Sequence, residues 1–274
     1  MEQIENVPLD FEFLDGGVTP VNRGNDTGRR RFPFHVLVCN DGMSSRAERE
    51  TRVTAVSDGE GYLIRKNELH RLRTREGEHP VSGWCHFRIT LLHGMDFLDF
   101  FELPEKFTPP ESTRIREACR NLLAGPPASA LRQMLFRKSA GLRLVEAVTA
   151  ACREREDTPE RLGQLRRLVP ALDFMSRNLA GKCRLEEAAA RANLSESRFT
   201  VLFKQTMTSS PGAYWQSLRL RRAHELLSAG STPAETAAAL GFCDVFHFSR
   251  SFKRHFGVTP AEYLRRRRER LSPF

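Results

Sequence analysis

Two periodicities divide the chain. Up to about residue 104 the apolar positions come in short runs or alternate with polar ones, and beyond residue 111 they recur every three or four positions. The alternation is clearest at Trp84–Leu92. Cys85, Phe87, Ile89 and Leu91 fall on one side and Trp84, His86, Arg88 and Thr90 on the other, which predicts a strand with one apolar face. Other strands are predicted at Phe34–Cys39, Arg52–Val56, Tyr62–Ile64 and His70–Thr74. The turn at Asp58-Gly59 makes Arg52–Val56 and Tyr62–Ile64 a hairpin. Gly77–Gly83 reads as a turn-rich connection and Arg46–Arg52 as a charged loop. Many short strands separated by turns predict a β-sandwich or barrel.

From residue 111 the period is helical. Ser112 is placed to cap a helix that Gly125-Pro126-Pro127 ends. Ala128–Arg155 follows, with Leu131, Leu135, Leu142, Val145, Val148 and Cys152 as one stripe, and with Gly141 weakening the helix slightly. Asp157-Thr158-Pro159-Glu160 starts another helix. Pro170 predicts a break before Ala171–Leu179, and Gly181 ends that segment.

The last third contains one pattern twice. Phe199, Phe203, Lys204, Pro211 and Tyr214 recur 49 positions later as Phe248, Phe252, Lys253, Pro260 and Tyr263, and the same offset carries Ala188-Ala189-Ala190 onto Ala237-Ala238-Ala239. A fixed period with matching apolar anchors is one supersecondary unit used twice. Each copy reads as helix, tight turn, helix. In the second, Thr232-Pro233-Ala234-Glu235 is a capping box with proline at the first helical position, Gly241 suits a left-handed turn, and Asp244 caps a helix running to about Gly257. In the first, Ser195 is the matching cap. Phenylalanines four apart share one helix face and mark it as buried. The opposite faces carry Ser197, Thr200, Val201 and Lys204 in one copy, and Phe246, Ser249, Arg250 and Lys253 in the other. A helix anchored by one face and polar or basic on the other suits a major groove. The bland alternative is two ordinary helical hairpins with solvated basic faces.

These residues resemble a known family. Gly241-Phe242, Phe248-Ser249-Arg250, Phe252-Lys253, Phe256-Gly257 and Thr259-Pro260-Ala261-Glu262-Tyr263 are similar to the signature of the AraC/XylS transcription regulators, and Leu194-Ser195 through Phe203-Lys204 to Pro211 and Tyr214 resembles that family's upstream helix-turn-helix. The resemblance is specific over roughly residues 165–268. It implies two helix-turn-helix units joined by a long helix at about Gly212–Ala229. Thr208 departs from it where glycine is usual, and so does Val245-Phe246-His247 where polar residues are commoner. Both departures bear on base preference rather than fold. The N-terminal segment resembles the cupin-like sensor domain of such regulators, through His70 and the run Trp84-Cys85-His86-Phe87-Arg88. That likeness implies a small effector inside the barrel. Trp84 would be its stacking wall, with His70, His86 and Arg88 as further contacts. The competing reading makes Trp84 core and has the polar residues face solvent or close the barrel. The resemblance also implies that part of the Leu131–Cys152 stripe pairs two sensor domains, beside or instead of packing on its own barrel.

Composition and charge narrow the partners. The net charge of +9 is uneven: residues 1–110 hold 14 Lys/Arg against 18 Asp/Glu, residues 111–181 hold 13 against 8, and residues 182–274 hold 16 against 8. Basicity concentrated on the duplicated unit is an electrostatic footprint for nucleic acid, and Arg265-Arg266-Arg267-Arg268 adds phosphate-binding charge beside the second copy. No apolar run approaches the ~20 residues that span a bilayer, and Met1-Glu2-Gln3-Ile4-Glu5 lacks a signal peptide's basic and apolar regions. A cytoplasmic location is expected. The six cysteines, Cys39, Cys85, Cys119, Cys152, Cys183 and Cys243, form no C-x-x-C pair, against a zinc knuckle or disulfide framework. Most read as small buried hydrophobes, with Cys243 placed where oxidation would disturb the second recognition helix. His35, His79 and His93 are scattered and no H-x-H pair occurs, so no cupin metal site assembles and no metal or other cofactor is expected.

The sequence therefore predicts an α+β multidomain chain. Residues 1–110 form a cupin-like effector domain (a β-sandwich or barrel), 111–164 a helical linker and dimerisation region, and 165–274 an all-α DNA-binding domain of two helix-turn-helix units. The predicted function is an effector-controlled, sequence-specific transcription regulator, not an enzyme. Ser197, Thr200, Val201, Lys204, Val245, Phe246, His247, Ser249, Arg250, Lys253, Arg265 and Arg266 are the candidate DNA contacts. Expected partners are double-stranded DNA, a small-molecule effector, a second copy of the chain and, for an activator, RNA polymerase, with no membrane. Two alternatives stand beside this: a cupin-type metalloenzyme with a DNA-binding tail, and an architectural DNA binder without an effector.

Overall fold

The computed structural model describes residues 8–20, 26–74, 81–92, 94–125, 129–207 and 209–271. Thr208, His79, His93, Met1–Glu5, the Pro126-Pro127 stop and most of the Gly77–Gly83 turn lie outside those residues. Contacts divide the chain into two units, Met1–Leu91 with Asp96–Glu156, and Leu92–Met95 with Asp157–Phe274.

The first unit is built on β-sheet. Strands β1 (Leu9–Pro20), β2 (His35–Asp41), β5 (Gly61–Ile64), β7 (Val81–Leu91) and β8 (Met95–Asp96) form a five-stranded sheet in the order β1-β7-β2-β5, with β8 beside β7. Strands β3 (Ser45–Arg49), β4 (Val53–Val56) and β6 (His70–Thr74) form a second sheet ordered β4-β3-β6. Because side chains alternate across a strand, the large sheet has two faces, and both are used. One face sets Phe11, Leu37, Leu63, Phe87 and Ile89 against two helices, α1 (Glu111–Leu123) and α2 (Ala130–Ala150). The other sets Val36, Val38, Tyr62 and Ile64 in one cluster with Ala47, Val56 and Leu72 of the small sheet. Asn40 ties the sheets together at the end of that cluster, its amide donating to Ser45 Oγ at 3.0 Å and the Val56 carbonyl at 3.1 Å. A glycine stands at 141 because the Phe11 ring would come within 2.0–2.5 Å of a Cβ there, so α2 can approach β1 only without one.

Several sequence expectations change here. Arg46–Arg52 is not a loop: β3 is the central strand of the small sheet, with Ser45 and Ala47 buried and Arg46 and Glu48 outward. Strands β4 and β5 are not a hairpin. The chain turns at Gly59 but crosses between sheets, so β4 pairs β3 while Cys39 pairs Gly61. Strand β1 carries no clear alternation in the sequence, because Gly16-Gly17 and an irregularity at Phe13/Asp15 break it. Ser112 lies inside α1 behind Pro110, and its hydroxyl donates to the Gly59 carbonyl at 2.6 Å. Helix α2 stops at Ala150, and Arg153–Glu154 (β10) pairs instead with Phe101–Glu102 (β9), which follows a 3-10 turn at Phe97–Phe100. The expected single stripe of α2 is two faces: Val145 and Val148 are core, whereas Leu131, Leu135 and Leu142 are exposed.

The second unit is helical: α3 (Thr158–Arg177), α4 (Leu185–Arg191), α5 (Glu196–Met207), α6 (Pro211–Ala229), α7 (Pro233–Ala239), α8 (Val245–Phe256) and α9 (Pro260–Leu271). Helix α3 starts where predicted but runs through Pro170 without breaking. A proline forfeits one backbone donor, and burial of Leu165, Leu168, Ala171, Leu172 and Met175 offsets that loss. The predicted starts and stops hold in the second copy. Thr232 and Glu235 form the capping box, Asp244 accepts from His247 N at 2.6 Å, and Gly257 ends α8 in the left-handed region. Helix α6 begins at Pro211 behind a Ser210 cap and ends at Gly230.

Candidate nucleic-acid interface

The two copies place the same side chains in the same relation. Phe199 and Phe203 are fully buried with ring centroids 5.3 Å apart, and Phe248 and Phe252 likewise at 5.6 Å. Tyr214 lies 5.3 Å from Phe203, and Tyr263 lies 6.1 Å from Phe252. Anchoring each helix by one aromatic face leaves the other outward. Ser197, Val201 and Lys204 are exposed on α5 with Thr200 half-buried, and Phe246, Arg250 and Lys253 are exposed on α8 with Ser249 half-buried. These eight positions match pairwise at an offset of 49, one repeat of i, i+3, i+4, i+7. His247 is exposed and Val245 half-buried at the start of α8. Arg265 is exposed on α9, and the side chain of Arg266 lies outside the described residues.

The alanine clusters need a correction. Leu194 N bonds to Ala189 O at 3.1 Å and Phe242 N to Ala237 O at 3.0 Å, so α4 and α7 correspond at an offset of 48. The second turn is one residue longer, and the extra residue is Cys243. Its thiol is exposed, 3.3 Å from His247 Nδ1. The left-handed residue of each turn also obeys the shorter offset, Asn193 in one and Gly241 in the other. Gly241 has a second constraint, since a Cβ there would meet Gly181 N at 2.4 Å.

What fixes α8 in place was not legible beforehand. Arg219 of α6 is 5% exposed, and its guanidinium donates twice to the Leu240 carbonyl, at 2.6 and 3.2 Å, and once to Gln216 Oε1 at 3.0 Å. It lies 4.4 Å from the Trp215 ring centre and 4.0 Å from that of Phe242. A cation at a helix C-terminus satisfies orphan carbonyls and complements the dipole, so Arg219 locks the end of α7 and the turn into α8. A basic residue four positions after a tryptophan on a buried helix face was the available signal.

The first unit has a cavity of about 260 Å³ between its two sheets, lined by Val38, Leu72, Trp84 and His86 among others. Two of the predicted effector residues therefore line it. His70, also predicted, is buried nearby, its Nε2 accepting from Arg30 Nε at 3.3 Å. Arg88 is not in the lining: its guanidinium donates to Glu12 at 2.9 Å and to the Pro33 carbonyl at 3.1 Å. Burial lowers the His70 pKa and holds that of His86 down to about 4. The unfolded chain therefore takes up the His86 proton first as pH falls. That contribution to stability is full above about pH 6.5 and is lost toward pH 4. Urea titrations should show wild type losing about 2 kcal/mol more than His86→Gln between roughly pH 7 and pH 4.5, after allowance for screening. Parallel losses would contradict the assignment. Among the described residues no group of three His, Cys, Asp or Glu side chains could hold a metal ion, and no helix is long and apolar enough to cross a membrane.

Duplicated helix-turn-helix units with outward polar faces define a DNA-binding transcription regulator. Residues 188–266 match the family described as "Helix-turn-helix domain". The chain is 32% identical over 228 residues to the probable transcriptional regulator LumQ of Photobacterium leiognathi, covering 78% of this chain and 82% of that protein. It is 26% identical over 290 residues to the MmsAB operon regulatory protein of Pseudomonas aeruginosa, covering 98% of this chain and 88% of that one. A solved AraC-type DNA-binding regulator from Chromobacterium violaceum shares 30% identity over 39% of this chain and 96% of its own, with a TM-score of 0.37. This chain belongs to the AraC-type family of transcription regulators.

Proposed function

We propose that α5 and α8 enter successive major-groove segments, about 34 Å apart, and that a small effector in the N-terminal unit controls their occupancy. The observation that carries the DNA reading is the repeat of one outward face at identical helical positions on both helices. Arg250 reads guanine bidentately; Ser197, Thr200, Ser249 and His247 donate or accept at base edges; Val201, Val245 and Phe246 touch thymine methyl groups. Lys204, Lys253, Arg265 and Arg266 hold phosphates, which gives affinity without sequence information. Residues 165–274 bind DNA, 1–110 form a cupin-like sandwich that takes the effector, and 111–164 pair two copies. The cavity between the sheets, with Trp84 as its flat wall, supports an effector there.

Arg250→Ala is expected to cost about 1–3 kcal/mol on a specific site and to relax one base position, whereas Lys253→Ala lowers the salt slope by about one. Equal loss on every sequence for Arg250→Ala would move Arg250 to the phosphate set, and an unchanged slope would remove Lys253 from it.

The pairing surface is the outer face of α2. Leu131, Met134 and Leu135 are 75%, 58% and 68% exposed, and with Leu142 they make an apolar seam at helical spacing. A self-complementary seam suits a two-fold dimer. Sedimentation of Leu135→Glu is expected to show monomer where wild type shows dimer, and a variant that stays dimeric would place pairing elsewhere.

A further inference from the structure

We infer that the cavity between the two sheets takes a small monocarboxylate with an apolar body, its carboxylate gripped by Arg30 and its body laid against Trp84. The inference rests on the reading of this cavity as the effector site and names the chemistry that site selects.

Arg30 lines the cavity, and its position is set by backbone. Arg30 N donates to the His70 carbonyl at 2.8 Å and His70 N to the Arg30 carbonyl at 3.0 Å, so the residue is stitched to the start of β6. Its guanidinium is aimed from two sides. Nε donates to His70 Nε2 at 3.3 Å, and the group lies 5.0 Å from the Phe32 ring centre. His70 can accept there because its other ring nitrogen, Nδ1, donates to the Glu68 carbonyl at 2.9 Å, which fixes the tautomer. With Nε committed, the two terminal nitrogens remain as a planar fork, the geometry that grips a carboxylate through two parallel hydrogen bonds.

The charge balance points the same way. Among the described residues no carboxylate pairs with Arg30, although acidic partners hold arginines nearby: Asp26 takes Arg71 and Arg73, and Glu12 takes Arg88. Among the described residues the remaining polar groups of the lining are hydroxyls, the Trp84 indole N–H and the His86 ring, which burial keeps neutral at neutral pH. One fixed positive charge calls for one negative charge. A dianion would leave a charge uncompensated in a half-apolar cavity. A cation would be repelled, and among the described lining residues a sugar would find no amide or carboxylate side chain of the kind that usually binds polyols. The volume, about 260 Å³, is the space of roughly nine water molecules at ~30 Å³ each and suits a body that is short or holds a single ring. Val38 and Leu72 line the cavity from the two sheets and Trp84 supplies a flat side, so the body is apolar.

The test uses full-length protein and matched pairs of probes, straight-chain, branched and aryl monocarboxylates of three to nine carbons beside their primary amides. Calorimetric titration is expected to show saturable binding of at least one acid, with its amide at least ten-fold weaker. Arg30→Gln should abolish the preference for the acid. Arg30→Lys, which keeps the charge but loses the fork, should weaken acid binding about ten-fold. Leu72→Phe should block both acid and amide by filling the cavity, and circular dichroism on each variant separates lost binding from lost fold. Acid and amide of equal affinity, or an Arg30→Gln protein that still prefers the acid, overturns the carboxylate assignment while leaving the effector site standing. Binding that Leu72→Phe does not disturb overturns the site itself. Absence of saturable binding by every acid in the panel overturns the inference.

Discussion

Replacing Arg219 with alanine is expected to destabilise the C-terminal unit by about 3–5 kcal/mol, the usual cost of stripping a buried charge network of its centre. The side chain is 5% exposed, makes three hydrogen bonds and lies over two aromatic rings. Its removal leaves the Leu240 carbonyl without its charged partner and opens a gap between Trp215 and Phe242. A void of that size adds a cavity cost to the lost hydrogen bonds. Urea unfolding followed by Trp215 fluorescence measures the change. Arg219→Lys should recover only part of it, because an ammonium cannot bind one carbonyl with two nitrogens while its flat face covers an indole. A change under 1 kcal/mol would mean that the turn into α8 is held by its backbone bonds alone. DNA binding is expected to fall with stability, since the turn from Leu240 to Asp244 aims the second recognition helix.

Asp96→Ala is expected to cost a similar amount, about 3–5 kcal/mol, in the N-terminal unit. Asp96 is 2% exposed and holds three partners: Leu98 N at 3.0 Å, His35 Nε2 at 2.9 Å and Lys66 Nζ at 3.1 Å. Burial alone would raise its pKa, but His35 and Lys66 outweigh that and hold the carboxyl well below the usual range. The sign follows from linkage. The folded value lies below the unfolded one, so this stability is fully present above about pH 4 and is lost on further acidification. The gap between wild type and Asp96→Ala should therefore be wide at neutral pH and close below about pH 4. Asp96→Asn keeps an acceptor for Leu98 N and should sit between the two. A gap that does not narrow in acid would assign the effect to packing rather than charge.

Much of the second unit could be read from residue order because its signals are local. Capping residues, a proline at the first helical turn, left-handed glycines and phenylalanines four apart each act within one helix or turn, and the duplication supplied a second reading of each. Two readings fail there: the extra residue at Cys243 is silent until backbone hydrogen bonds fix the turn and with it the offset of the alanine clusters, and Pro170 does not break α3 because buried neighbours hold the helix through it. The first unit was less legible because sheet pairing is non-local. Strands β4 and β5 each looked like half of a hairpin, and nothing in their residues says that Gly61 pairs with Cys39 while Val56 pairs with Ser45. The alternation at Trp84–Leu91 was visible, but a strand buried on both faces presents its polar side to another sheet rather than to water. That is why Trp84 and His86 face a cavity. The sites resolve along the same line. The outward positions of α5 and α8 follow from helical period, whereas Arg30, Arg219 and Asp96 are held by partners 21 to 61 residues away, at His70, Leu240 and His35.

Selection of bound DNA from a random duplex library by the full-length protein, at near-physiological salt, tests the central claim of paired recognition helices most directly. The expected result is two short conserved blocks about 10 base pairs apart, centre to centre, one of which loses a guanine preference in Arg250→Ala. A single block, or binding that enriches no sequence and that salt abolishes, would contradict it.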